Sequence, residues 1–171
     1  MMLISTSRRP STRTRSFVKE LLGVIPLSFQ VTRGKKSIDE LIDIAILKGC
    51  RRLMIVESKA GNPSALSFIH IDKEDWRWLG VMDISVSLRR ENKITTKIDP
   101  FDEDRPFLIK GSNKNEAFDF IKHMFFCQEY EDSLEGSVLL WDGEFINFLR
   151  EDISTAPIGP KINISKWKRL I

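Results

Sequence analysis

Two rhythms of polar and apolar positions run along this chain. Short apolar or alternating runs predict strands over residues 3–6, 27–32, 53–56, 65–71, 81–88 and 107–109, and a hairpin from 137–141 and 145–149 turning at Asp142-Gly143. A helical rhythm predicts three helices. The first covers 12–22, with Ser11 as N-cap, Phe17, Leu21 and Leu22 facing inward, and Gly23 as stop. The second begins at Ser37, with Glu40 completing a capping box and Ile38, Leu41, Ile42, Ala45 and Ile46 on the apolar face, and ends at Gly49. The third covers 115–126, with Ala117, Phe118, Ile121, Met124 and Phe125 inward. Gly61-Asn62-Pro63 reads as a loop and 99–105 as a polar connection. Strands alternating with helices predict an α/β fold. The repeated vocabulary predicts two similar halves, about 1–78 and 79–171, sharing one 171-residue domain.

Composition changes this picture little, charge placement more. With 42% hydrophobic and 30% charged residues the chain has the balance of a soluble globular protein. No apolar run approaches the roughly 20 residues of a membrane span. Cys50 and Cys127 fall in apolar helical patterns and read as reduced core residues of a cytoplasmic protein. The formal charge of +3 hides an asymmetry. Arg8, Arg9, Arg13, Arg15, Lys19, Arg33, Lys35 and Lys36 face Glu20 alone across residues 1–36, so the rest of the chain is net negative. The C-terminal stretch is basic again, with Lys161, Lys166, Lys168 and Arg169. Such clustering is the footprint of a polyanion partner.

Gly34-Lys35-Lys36-Ser37 is not a nucleotide-binding loop, because Phe29 stands where the first glycine is required. The stretch still suits phosphate, since it opens a helix whose free N–H groups and dipole attract anions. Arg8 and Arg9 precede the first helix in the same way. If strands 3–6 and 27–32 are parallel neighbours, both helix starts emerge at the strands' carboxyl ends, where open α/β sheets bind ligands. The two basic clusters then form one surface. An enzyme is the weakest reading. His70 and His123 lack an evident nucleophile, and the acids Asp72, Glu74, Asp75, Asp102, Glu103 and Asp104 fall in loops rather than on rigid strand ends. Trp76-Arg77-Trp78 either stacks on bases or packs on the core, and packing is the plainer reading. The Arg- and Ser-rich opening resembles a transit peptide in composition, but its Leu3, Ile4 and Phe17 are expected in the core.

The motif order resembles the Brix-domain family of ribosome-biogenesis proteins, above all its short archaeal members. Ile4-Ser5-Thr6-Ser7-Arg8-Arg9-Pro10-Ser11-Thr12-Arg13 is similar to the family's opening TSR-x-PS-x-R signature. Arg33-Gly34-Lys35, then Gly61-Asn62-Pro63 with Leu66 and His70, then Pro106-Phe107-Leu108-Ile109 and Phe145-Ile146-Asn147-Phe148-Leu149 follow in its order. Ile158-Gly159-Pro160-Lys161 resembles its closing GPR motif, with lysine in place of arginine. The resemblance implies one Brix domain over 1–171, each half resembling the anticodon-binding domain of class IIa aminoacyl-tRNA synthetases. It also implies a non-catalytic factor that binds pre-ribosomal RNA beside other assembly proteins, with no cofactor, metal, membrane or small-molecule substrate. The expected phosphate contacts are Arg8, Arg9, Arg13, Arg15, Lys19, Arg33, Lys35 and Lys36, extended by Lys166, Lys168 and Arg169. The alternative is a protein-binding scaffold whose RNA contact is incidental.

Overall fold

The computed structural model describes residues 1–73, 75–99, 101 and 104–170. Each helix forms where its cap stands. Ser11 accepts a hydrogen bond from Thr14 N at 3.0 Å and opens α1 (Thr12–Leu22). Ser37 and Glu40 cap each other's backbone and open α2 (Ile38–Leu47). Asn115 accepts from Phe118 N at 3.0 Å and opens α3 (Glu116–Phe125). Cys50 and Cys127 lie just beyond α2 and α3 rather than inside them, because each helix ends before its apolar pattern does. Both are free thiols, and Cys50 is buried.

Ten strands make one sheet. They are β1 (Met2–Thr6), β2 (Ser28–Gln30), β3 (Arg52–Lys59), β4 (Asn62–Asp72), β5 (Asp75–Ser87), β6 (Phe107–Gly111), β7 (Gln128–Glu129), β8 (Ser137–Trp141), β9 (Phe145–Arg150) and β10 (Lys161–Arg169). Their order is β2-β1-β3-β4-β5-β10-β9-β8-β6-β7. β1 is parallel to β2 and β3, and β6 is parallel to β7 and β8; every other pair is antiparallel. The pattern reads alike from either edge, with the antiparallel β5–β10 pair at the centre. Residues 78 and 79 both lie inside β5, so a division there falls within a strand; the last strand of the first side before the crossing ends at Ser87 and the first of the other side begins at Phe107.

Several strands depart from expectation: β5 begins at Asp75 rather than at residue 81, and β7 matches no predicted strand. Asn62 and Pro63 belong to β4, and the turn is Ala60-Gly61, both at positive φ (50° and 79°) as a two-residue hairpin of this type requires. β2 shrinks to three residues, after Leu27 at φ 51°. The basic C-terminal stretch is not a tail but β10, a central strand. A bulge between Ile164 and Lys166 breaks its alternation, so the sequence pattern hides it.

Alternation in the sheet builds two cores. Ile4, Met54, Val56, Phe68 and Met82 face α1 and α3, and meet Phe17, Val18, Leu21, Phe118, Phe120 and Met124 in one cluster. Leu3, Leu53, Ile55, Ile69 and Ile71 face the other way and are covered by Leu41, Ile42 and Ala45 of α2. Among the described residues no helix is long and apolar enough to cross a membrane.

Candidate nucleic-acid interface

β1 and β2 are parallel neighbours, with Leu3 opposite Phe29 and Ile4 opposite Gln30. The segments leaving their carboxyl ends therefore lie side by side. Between them is a cleft of about 620 Å³. One wall is Thr6, Arg8, Arg9, Pro10 and Arg15; the other runs from Gln30 to Lys35. Five cations, Arg8, Arg9, Arg15, Arg33 and Lys35, line it, and among the described residues no carboxylate does.

Local structure holds these groups in place. Arg9 adopts φ 56° and Gly34 φ 51°, so each wall turns sharply at a left-handed residue. For a side chain as large as arginine that conformation costs about 1 kcal/mol. The Ser11 hydroxyl, besides capping α1, donates to the Gly61 carbonyl at 2.8 Å, and Thr14 Oγ1 meets Ser58 Oγ at 2.7 Å. The start of α1 is thereby fastened to the β3–β4 hairpin. Arg33 Nε donates to Lys36 O at 2.7 Å, and Arg33 Nη1 reaches Thr6 O at 3.4 Å, which ties the two walls together. Burial, with the charge of Arg8 second, pulls the Arg33 pKa below its ordinary value. The cleft is thus short of negative charge, and an anion between Arg8 and Arg33 would relieve both.

The two helix starts differ. The first turn of α1 contains no acid, leaving its dipole unmatched. At α2 the Glu40 carboxylate already accepts from Ser37 N at 2.6 Å, and that bond holds its pKa low. The amino end of α2 is therefore filled from within, contrary to the sequence expectation.

Several expected contacts lie elsewhere. Arg13 is not in the cleft: its guanidinium pairs with Glu91 and donates to Val86 O at 2.8 Å. Lys19 lines a separate cleft of about 590 Å³ at the other end of α1, with Phe29, Ile98 and Asp104. Lys36 is half-buried and donates to Thr32 O at 3.2 Å. Lys166, Lys168 and Arg169 sit on β10, opposite Asp83, Val81 and Gly80. Four strand spacings of ~4.8 Å, about 19 Å in all, separate β10 from β1. The C-terminal basic residues therefore do not extend this cleft.

Of the acids, Glu74, Asp102 and Glu103 lie outside the described residues. Asp72 closes β4 and Asp75 opens β5, on strand ends rather than in the loop expected, and each accepts from the backbone N–H of the following residue. Trp76 packs on the α2 side core, while Trp78 remains 36% exposed. Counting charge along the chain missed a second basic group: Arg52 and Arg77 with the imidazoles of His70 and His123, joined by Arg169. They are scattered in sequence, and only strand register brings them together.

No family model matches the chain. A probable Brix domain-containing ribosomal biogenesis protein from Pyrococcus horikoshii is 36% identical over 193 residues, covering 98% of this chain and 84% of the relative. The crystal structure of a probable ribosomal biogenesis protein from Aeropyrum pernix matches with a TM-score of 0.82 at 27% identity, covering 96% of this chain and 95% of the other. Mil, an archaeal Imp4-like protein, shares the fold at a TM-score of 0.70 and 21% identity, covering 99% of each chain.

Proposed function

The chain belongs to the Brix domain-containing ribosomal biogenesis proteins, and from that membership we propose that it is a non-catalytic, cytoplasmic factor that binds pre-ribosomal RNA during rRNA processing and subunit assembly. One observation carries the RNA half of this reading: the cleft beyond β1 and β2 gathers Arg8, Arg9, Arg15, Arg33 and Lys35 with, among the described residues, no carboxylate in its lining. Phosphate oxygens are the ligand such a lining suits, with arginine forks binding bidentately and lysine as a point charge. Arg33 anchors the walls, while Arg8, Arg9, Arg15 and Lys35 are exposed to receive the backbone. The two halves of the sheet are each an anticodon-binding-like unit in this reading, duplicated and joined through 88–106.

The reading predicts steep salt dependence, with a log–log slope of about −0.7 per phosphate contact on single strands. Arg8→Glu with Lys35→Glu is expected to weaken binding of a labelled rRNA fragment at least tenfold without shifting the thermal midpoint, since neither side chain is buried. Unchanged affinity in that double variant would remove the cleft from the site.

The scaffold reading has its own support. Leu47 is 88% exposed and Ile46 41% exposed at the end of α2, an apolar pair suited to a protein neighbour. Affinity capture after nuclease treatment separates the readings: partners lost with the RNA favour RNA binding, and partners retained favour the scaffold.

A further inference from the structure

Strand register assembles a second positive surface at the other end of the sheet. Arg52 on β3 lies opposite His70 on β4, which lies opposite Arg77 on β5. The row faces α3, because Arg52 Nη2 donates to the His123 carbonyl at 3.0 Å. Arg169 at the end of β10 completes the group, held by a hydrogen bond of 2.8 Å from Leu170 N to Leu79 O.

The field here is mainly positive, with Asp72 the opposing charge felt at His70. Burial, then Arg51 and Arg77, lower the Arg52 pKa to about 10. Burial, then Arg52 and Arg169, lower that of His123. His70 relieves a little of this by meeting Arg52 Nη1 through Nδ1 at 3.0 Å. Arg52 is only 2% exposed, and its Nε has no hydrogen-bond partner. Among the described residues no carboxylate forms an ion pair with Arg51, Arg52, Arg77 or Arg169. Arg51, Arg77, His123 and Arg169 are exposed.

Two exposed aromatic rings flank the cations. Phe126 is 53% exposed and lies 5.2 Å from the Arg52 guanidinium. It sits at φ 60°, a left-handed conformation uncommon for an aromatic residue. Trp167 is 37% exposed and stacks on Phe120 at 4.7 Å. Cations beside accessible ring faces match the chemistry of single-stranded RNA, with phosphates on the arginines and bases on the rings.

We propose that Arg77, His123 and Arg169, backed by Arg52 and His70, form a second RNA-phosphate site distinct from the cleft. The inference rests on the RNA reading above. Arg52 precedes Val56 by four residues, or about 13 Å at ~3.3 Å per residue, and the cleft begins beyond Thr6, which pairs with Val56. One protein then holds RNA at both ends of the same strands.

The test is fluorescence anisotropy with a labelled oligouridylate of about twenty nucleotides, titrated at several salt concentrations. Arg77→Glu with Arg169→Glu is compared with Arg8→Glu plus Lys35→Glu and with the unaltered chain. The first pair is expected to lose at least tenfold in affinity and to flatten the salt slope by about 1.4, for two contacts of ~0.7 each. Its thermal midpoint should hold or rise, because a glutamate at 77 supplies the missing countercharge. Wild-type affinity and slope in that pair, with loss in the cleft pair, overturn this site and leave the cleft standing. Loss in the first pair alone supports this site and overturns the cleft. A wild-type chain without salt-dependent binding overturns both.

Discussion

Arg13 shares the basic N-terminal stretch with Arg8, Arg9 and Arg15, yet its task is structural. Its guanidinium takes both oxygens of Glu91, with Nη2 to Oε2 at 3.0 Å, and Glu91 also accepts from Leu88 N at 2.8 Å. The Arg13 bond, and after it the Leu88 N–H, bring the Glu91 pKa to about 2. The Glu91 side chain is 38% exposed, so solvent screens the pair and its worth is about 1 kcal/mol. An unfolded glutamate titrates near ~4.3. The folded value is lower, so the contribution is full above that pH and is lost as pH falls through about 2. Glu91→Gln is therefore expected to lower the urea unfolding free energy by about 1 kcal/mol at neutral pH and to match the parent near pH 2. A gap that persists undiminished in acid would assign the loss to shape rather than charge.

At the scale of elements, the start of α1 joins fold to site. Ser11 caps Thr14 N and also donates to Gly61 O, so Ser11→Ala removes a cap and the tie to the β3–β4 hairpin together. A cost of about 1–2 kcal/mol is expected, with faster amide exchange at Thr14 and partial rescue by threonine. Unchanged exchange at Thr14 would show the cap to be idle. The caps Ser11 and Ser37 are legible in the sequence because a cap bonds within three residues of itself; Asn115, read as the first residue of the third helix, is its cap instead. The cleft is legible too, since its walls are two continuous stretches. β10 was not legible, because its bulge shifts Lys166 and Trp167 out of alternation with Ile162 and Ile164. Nor was the engagement of Arg13, whose partner lies 78 residues away. The Arg52–His70–Arg77 row was invisible for the same reason: its members become neighbours only through register.

On the scale of the molecule, two similar sides share one interior. Phe17 and Leu21 of α1 and Phe118, Phe120 and Met124 of α3 belong to a single buried cluster that includes Met82 of β5 and Ile162 of β10. The seam between the sides is the β5–β10 pair, and Gly80 sits on it. A Cβ at Gly80 would lie 2.8 Å from Lys168 O and 2.9 Å from the Phe120 ring, so only glycine allows β10 and α3 to approach this closely. The α2-side core lies wholly on the first side, but the larger cluster is continuous across the seam, and unfolding should be one transition. Methionine methyl resonances report the sides separately, Met54 from β3 and Met124 from α3. Both native signals are expected to vanish at the same urea concentration. Gly80→Ala should lower that midpoint for both probes equally, by about 1–3 kcal/mol of overpacking. Separation of the two midpoints, in either protein, would show that the sides fold independently and that the seam is an interface rather than a core.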